Sequence, residues 1–372
     1  MAARPRAREV GLGIGDLPTG PYNALTDVSG VRVGQTTLVS GDGPLRPGHG
    51  PVRTGVTVIL PHGDNLFRGK VVGAVHTING FGKPCGFEEV RELGVIEAPI
   101  ALTNTLNVGL VADALVQYAV RQTPDIGIRT SSVNVVVGEC NDGHLNDMQG
   151  RHVRAEHVWA AIDGAASGPV SEGTVGAGTG TSCFGWKGGI GTASRVVPPE
   201  AGGFTVGALV QSNFGRPGDL TILGVPVGRH LLPLSGTRQP REEKGSIMIV
   251  LATDAPLCAR QLRRLCVRAA VGLARAGSHH MHASGDFVIA FSTAYRIEDA
   301  PASLTATRAV LADERKAMTG LFPAVAECVE EAILNSLCRA ETVVGRDGNT
   351  RHALPVEEVV AAVRKERPWA FR

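Results

Sequence analysis

In the stretch SGTRQPREEKG-SIMIVLATD, residues 235–254, the chain changes character at a single bond. Ser235 to Gly245 is polar and charged, and it belongs on the surface because burial would strand its charges without partners. Ser246 to Asp254 is a strongly apolar strand. Beyond it, Pro256 to Gly277 carries Leu262, Leu265, Ala269 and Leu273 along one helical face, and DFVIAFST (Asp286 to Thr293) is again a strand. Two helices fit the segments after Ser303 and after Phe322, and a last one fits Pro355 to Arg364.

Upstream, TDVSGVRVGQTTL alternates around glycines, and GVTVILP is a short β-branched run ending at a breaker. A helix starts near Thr103 and Asn104, with Leu106, Leu110, Ala114, Leu115 and Tyr118 at helical spacing. SVNVVVGE (Ser132 to Glu139) is a buried strand ending at the turn ECNDG, and a short helix fits His152 to Ala165. Gly173 to Gly191 is glycine-rich, and FTVGALVQSN (Phe204 to Asn213) is a strand that ends on an amide. With no internal repeat and no linker, this order predicts one α+β domain over residues 1–372, with helices covering a mixed sheet.

Composition narrows the function. Of 372 residues, 43% are hydrophobic and 19% charged, ordinary values for a globular protein. The 48 glycines predict many tight turns and close backbone packing. A formal charge of +2 gives no electrostatic case for nucleic acid, and no apolar run is long enough to span a bilayer. No apolar stretch follows the basic N-terminus, so a secretory signal is not expected. The seven cysteines lack CxxC spacing, which argues against a disulfide framework or a structural zinc site and for a cytoplasmic setting. His279, His280 and His282 lack a second ligand group, so they read as a solvated helix end. GLGIGD and GAGTGT lack the Gly-Lys-Ser/Thr ending of a phosphate loop.

Several residues can carry chemistry, each beside an ordinary explanation. Ser246 follows Gly245 at the loop-to-strand junction, where glycine permits the strained backbone needed for Ser246 Oγ to attack the preceding carbonyl. Cleavage there would free an α-amine, of reference pKa about 8, to act as base for its own hydroxyl. A Gly-Ser pair before a strand is equally an ordinary loop exit. Ser284 and Asp286 fall on one face of a strand beginning at Ser284, where they can hold a terminal ammonium, or they form a β-turn. Asn213 can donate to an oxyanion or satisfy a turn. Glu139 can bind a substrate ammonium or be a solvated turn residue, and Asn141 and His144 line the cleft or shape the turn.

Taken together, the segments NALTDVSGVRVGQTTL, ELGVIEAPIALTNTLNVG, VVGECNDGHLND, CFGWKGGIGTASR, GSIMIVLATDAPL, SGDFVIAFST and EAILNSLCRAETVVGRDG resemble the DmpA-like aminopeptidases. That family includes the L-aminopeptidase/D-esterase-amidase and the β-peptidyl aminopeptidases. The resemblance implies a four-layer αββα sandwich, similar to N-terminal-nucleophile hydrolases but with different connectivity. It implies self-cleavage into an α-chain 1–245 and a β-chain 246–372. Ser246 then looks like the nucleophile, Ser284 and Asp286 its partners, Asn213 the oxyanion donor and Glu139 the anchor for the substrate's amine.

No cofactor and no metal are implied, and processed αβ units are expected to form a homotetramer. The implied substrates are short peptides, amino-acid amides or esters. Asn141 stands where the best-known member carries a tyrosine lining the oxyanion site, a position that tunes specificity. The loop NGFGKPCG (Asn79 to Gly86) departs from the family by Pro84 and Cys85. Two other readings remain: an acyltransferase of the ornithine acetyltransferase type, which uses threonine, and a catalytically silent ligand-binding scaffold.

Overall fold

The structure is a computed structural model that describes residues 4–231 and 245–371. The polar stretch before Gly245, expected to be exposed, lies outside the described residues.

Two sheets stack face to face. The smaller has the order β1 (Arg32–Ser40), β2 (Val52–Leu60), β5 (Ile100–Asn104), β6 (Val136–Cys140). The larger runs β4 (Val95–Ile96), β3 (Gly69–Gly80), β12 (Ser284–Glu298), β11 (Gly245–Thr253), β10 (Thr205–Asn213), β9 (Gly189–Val196). Both are mixed, with β5 parallel to β6 and β11 parallel to β12.

Strand β11 shows why the layers form. Its residues are buried almost throughout, and successive side chains enter different cores. Ile247, Ile249 and Leu251 meet the helices α5 (Ala259–Arg275) and α6 (Glu314–Cys338). Met248, Val250 and Ala252 face the smaller sheet and pack with Ile59, Ile100, Leu102 and Val136. The smaller sheet's outer face is covered by α2 (Val108–Gln122) and α3 (Ala155–Asp163) through Val56, Val58, Val111, Leu115 and Val158. The order is helix, sheet, sheet, helix, the αββα arrangement expected from the resemblance.

Some elements differ from expectation. In place of two helices after Ser303 and Phe322, one helix, α6, begins at Glu314 and carries Pro323 inside it. Asp313 starts it by accepting from Lys316 N at 2.9 Å. Packing on β9 then outweighs the proline. That packing is close enough that a Cβ on Gly191 would lie 1.9 Å from Ala332 O in α6.

The glycine-rich stretch hides a hairpin, β7 (Ser182–Cys183) and β8 (Trp186–Lys187), as well as β9 itself. Further short elements are α1 (Phe87–Leu93), α4 (Val227–Leu231), the hairpin β13 (Val343–Val344) with β14 (Thr350–Arg351), and the expected last helix, α7 (Val356–Glu366). Among the described residues, no helix is long and apolar enough to cross a membrane, and no cluster of His, Cys, Asp or Glu could hold a metal ion.

Candidate active site

The ends of β10, β11, β12 and β3 meet at one edge of the larger sheet. Asn213 pairs in register with Ser246, Gly245 with Ser284, and Asp286 with Asn79. The sheet thus assembles residues that are far apart in the chain.

Asn213 and Ser246 share the face that looks towards the smaller sheet, as do Leu209 and Met248 further along their strands. Asn213 Nδ2 donates to Ser246 Oγ at 3.3 Å, and Asn213 Oδ1 accepts from Ser182 N at 2.9 Å. The second bond sets which end of the amide points at the serine. Beneath Ser246, the Cys140 thiol donates to Gln211 O at 3.3 Å, and burial pushes its pKa well up, leaving a neutral floor.

Ser284 and Asp286 are buried and linked, the Ser284 hydroxyl donating to Asp286 Oδ1 at 2.6 Å. By the strand alternation they belong to the helix-facing side, with Val288 and Ala290, so they share strand ends with Ser246 but not its side-chain face. Between the two faces runs the backbone of β11, with Ser246 opposite Gly285 of β12. Asn79 Nδ2 donates to the carbonyls of Met281 and Ser284 and so holds the entry to β12.

The histidine cluster corrects its sequence reading. His280 Nδ1 lies 3.3 Å from Asp286 Oδ2, so this residue is a neighbour of the site rather than a solvated helix end. Its φ of 51° is uncommon for a residue with a Cβ. At Gly245, the first residue of β11, the structure shows a requirement for space, since a Cβ would lie 2.9 Å from Phe214 Cα.

Glu139 is buried at the end of β6, accepting from Lys83 N at 2.9 Å and from the Thr105 hydroxyl. The departing loop makes the first bond possible, because Cys85 pairs with Val137 and ties the loop to the β6 edge. Glu139 and Ser246 line one cleft of about 590 Å³, with Asn141, His144, Ser182, Asn213 and Arg351 among its walls. Exposed Asn141 accepts from Gly143 N at 2.9 Å through its own side chain, and so shapes the turn while lining the cleft. His144 is held neutral: burial, then Arg351 and Arg346, lower its pKa to about 4.

Thr105, Ser182 and Arg351 were not singled out from sequence, and His280 was read there only as part of a solvated helix end. Each stands in a polar turn or glycine-rich segment with no periodic pattern, and only the fold brings it to the cleft or to Asp286.

Chemically, the cleft offers a hydroxyl with an amide donor beside it and a carboxylate on the wall. These are the parts of an acyl-transfer site for a substrate with a free amine. Comparison with known proteins agrees. The family model of peptidase family S58 matches residues 23–351. A β-peptidyl aminopeptidase, BapA, of Sphingosinicella microcystinivorans is 42% identical, over 99% of this chain and 94% of that protein.

Among solved structures, a protein from Pyrococcus horikoshii OT3 superposes with a TM-score of 0.92 at 49% identity, covering 98% of this chain and 100% of the other. The L-aminopeptidase D-Ala-esterase/amidase of Ochrobactrum anthropi, a variant of the Ntn hydrolase fold, gives 0.87 at 40% identity, with 98% and 99% covered. These likenesses favour a hydrolase over both the acetyltransferase and the silent scaffold. Fold, cleft and a family model that spans most of the sequence agree: this chain belongs to peptidase family S58 and is a hydrolase of the aminopeptidase type.

Proposed function

We propose that residues 1–372 fold as one domain that cuts itself between Gly245 and Ser246, and that Ser246 is then the nucleophile of an aminopeptidase. In the first reaction Ser246 Oγ attacks the Gly245 carbonyl carbon and the Gly245–Ser246 C–N bond breaks, giving an ester. Water hydrolyses that ester, leaving a carboxylate on Gly245 and an α-amine on Ser246.

In turnover the same hydroxyl attacks the first carbonyl of a substrate, and its proton passes to the α-amine. The substrate C–N bond breaks, the leaving amine takes that proton, and water releases the acyl group from Ser246. Asn213 Nδ2 donates to the developing oxyanion, and its 3.3 Å reach to Oγ is of the length expected before a substrate tightens the site.

Ser284 and Asp286 act on the other side of the α-amine. Once cleavage frees it at the head of β11, opposite Gly285 of β12, the amine turns towards the Ser284 hydroxyl and Asp286 carboxylate, which stabilise its protonated form. Glu139 receives the substrate's ammonium, and Asn141 borders the acyl side chain. The substrates are short peptides, amino-acid amides or esters with a free amine, in line with the relatives' names. The setting is the cytoplasm, in keeping with seven cysteines that lack CxxC spacing, and the processed units assemble as a homotetramer.

The observation that carries this reading is the Asn213–Ser246 hydrogen bond inside the cleft that Glu139 lines. The test is intact mass together with turnover. Purified protein is expected as two pieces meeting at 245/246. Ser246→Ala is expected to stay a single 38.8 kDa chain and to lose about 10⁴-fold or more in kcat. A Ser246→Ala protein that is still cut there, or that keeps its turnover, overturns the assignment.

A further inference from the structure

Two cations line the cleft outside the reaction above: Lys83, whose ammonium lies over the Phe81 ring on the Glu139 side, and Arg351. Arg351, in β14, donates from Nε to Ser182 Oγ at 3.0 Å and from Nη1 to Thr350 O at 3.4 Å. Among the described residues it has no acidic partner, although it is half-buried and lines the same cleft as Ser246. Guanidinium stays charged even when burial lowers its pKa, as it does here. Neutral His144 stands on the same wall, so Arg351 carries the positive charge of that side.

Its position follows from the sheet order. From Ser246, β12, β3 and the loop that holds Glu139 through Lys83 lie to one side. On the other side come Asn213, then Ser182, then Arg351, joined by successive hydrogen bonds. The loop preceding β14 is also tied to the turn after Glu139, by Arg346 Nε to Gly143 O at 2.7 Å and Asn349 Nδ2 to His144 O at 3.0 Å. A carboxylate and a guanidinium therefore flank the serine within one braced cleft. If Glu139 takes the ammonium end of a substrate, the leaving part extends towards Arg351.

We propose that Arg351, oriented by Ser182, is the leaving-side subsite and binds the free C-terminal carboxylate of a short peptide. The inference rests on the aminopeptidase reading of Ser246. It makes dipeptides and tripeptides the favoured substrates, over amides whose leaving group is neutral. Arginine suits the role because its planar donors match a carboxylate, and a charged hydrogen bond in a half-buried cleft outweighs a neutral one.

The experiment compares each dipeptide with its own C-terminal amide: L-Ala-Ala, D-Ala-Ala and β-Ala-Ala against the three matching dipeptide amides, following release of the N-terminal residue. For the best-cleaved pair, kcat/KM is expected to favour the carboxylate by about tenfold or more, mainly through KM. In Arg351→Ala the ratio falls to within about threefold of unity, and Arg351→Lys keeps an intermediate value. Because the ratio is taken within one protein, partial loss of folded enzyme cancels. A wild-type ratio near one overturns the proposal without any variant, and so does an unchanged ratio in Arg351→Ala. Failure of the Ser246 assignment shows separately, as full turnover of both substrates by Ser246→Ala.

Discussion

Along the turn that leaves Glu139, His144 is the residue whose charge the surroundings decide. Its folded pKa of about 4 lies below the ordinary 6.5, so the folded protein binds fewer protons there than the unfolded chain. Its contribution to stability is therefore intact above pH 6.5 and is lost as pH falls towards about 4. Melting temperature measured against pH should show this as a gap between wild type and His144→Asn that is constant above pH 7 and shifts in the variant's favour between 6.5 and 4. Parallel curves over that window would mean that His144 titrates normally. At this scale the sequence was partly legible. Asn213, Ser246 and Glu139 mark the ends of apolar runs, so strand alternation and position drew attention to them. Arg351 and Ser182 stand in polar or glycine-rich turns, and their meaning comes only from neighbours far along the chain.

Element by element, β11 was the easiest to read, because both its faces are buried and its residues are apolar almost without interruption. The strand–helix–strand order through α5 to β12 was visible for the same reason. Helix α6 was not, because Pro323 reads locally as a stop and only packing against β9 and α5 carries the helix past it. The glycine at the head of β11 now has a spatial explanation that the sequence did not suggest. A Cβ on Gly245 would sit 2.9 Å from Phe214 Cα and 3.1 Å from Asn213 O, so β10 would have to move. Gly245→Ala should cost about 1–3 kcal/mol by overpacking and shift Asn213 away from Ser246. Cleavage at 245/246, followed on a denaturing gel, should slow by about tenfold or more, since small misplacements of reacting groups are costly. Wild-type rates of cleavage together with an unchanged melting temperature would show that the position tolerates a methyl group.

For the molecule as a whole, the decisive polar feature is remote from the cleft. Arg195 of β9 is fully buried, with Nε 2.8 Å from Glu327 Oε2 and Nη2 2.6 Å from Glu331 Oε2, both on α6. Its remaining donors reach Ser194 O at 2.7 Å and Ile14 O at 2.6 Å. Glu331 also accepts from Arg8 and Asn23, and Glu327 from the backbone of Asp16 and Leu17. One guanidinium thus links the beginning of the chain, the edge of the larger sheet and the longest helix. If the chain is cut at 245/246, the same bonds cross between the two pieces, since Arg195 belongs to the first and both glutamates to the second. Breaking a buried pair from one side leaves charge without a partner, so Arg195→Ala should cost about 3–5 kcal/mol. The urea midpoint should fall accordingly, and the pieces 1–245 and 246–372 should separate at lower urea than in the parent. Adding Glu327→Gln to an Arg195→Met variant should restore part of the loss, because Glu327 is then left without a cation whereas Glu331 keeps Arg8. A midpoint unchanged by Arg195→Ala would show that the sheet and helix cores hold the pieces together without this network.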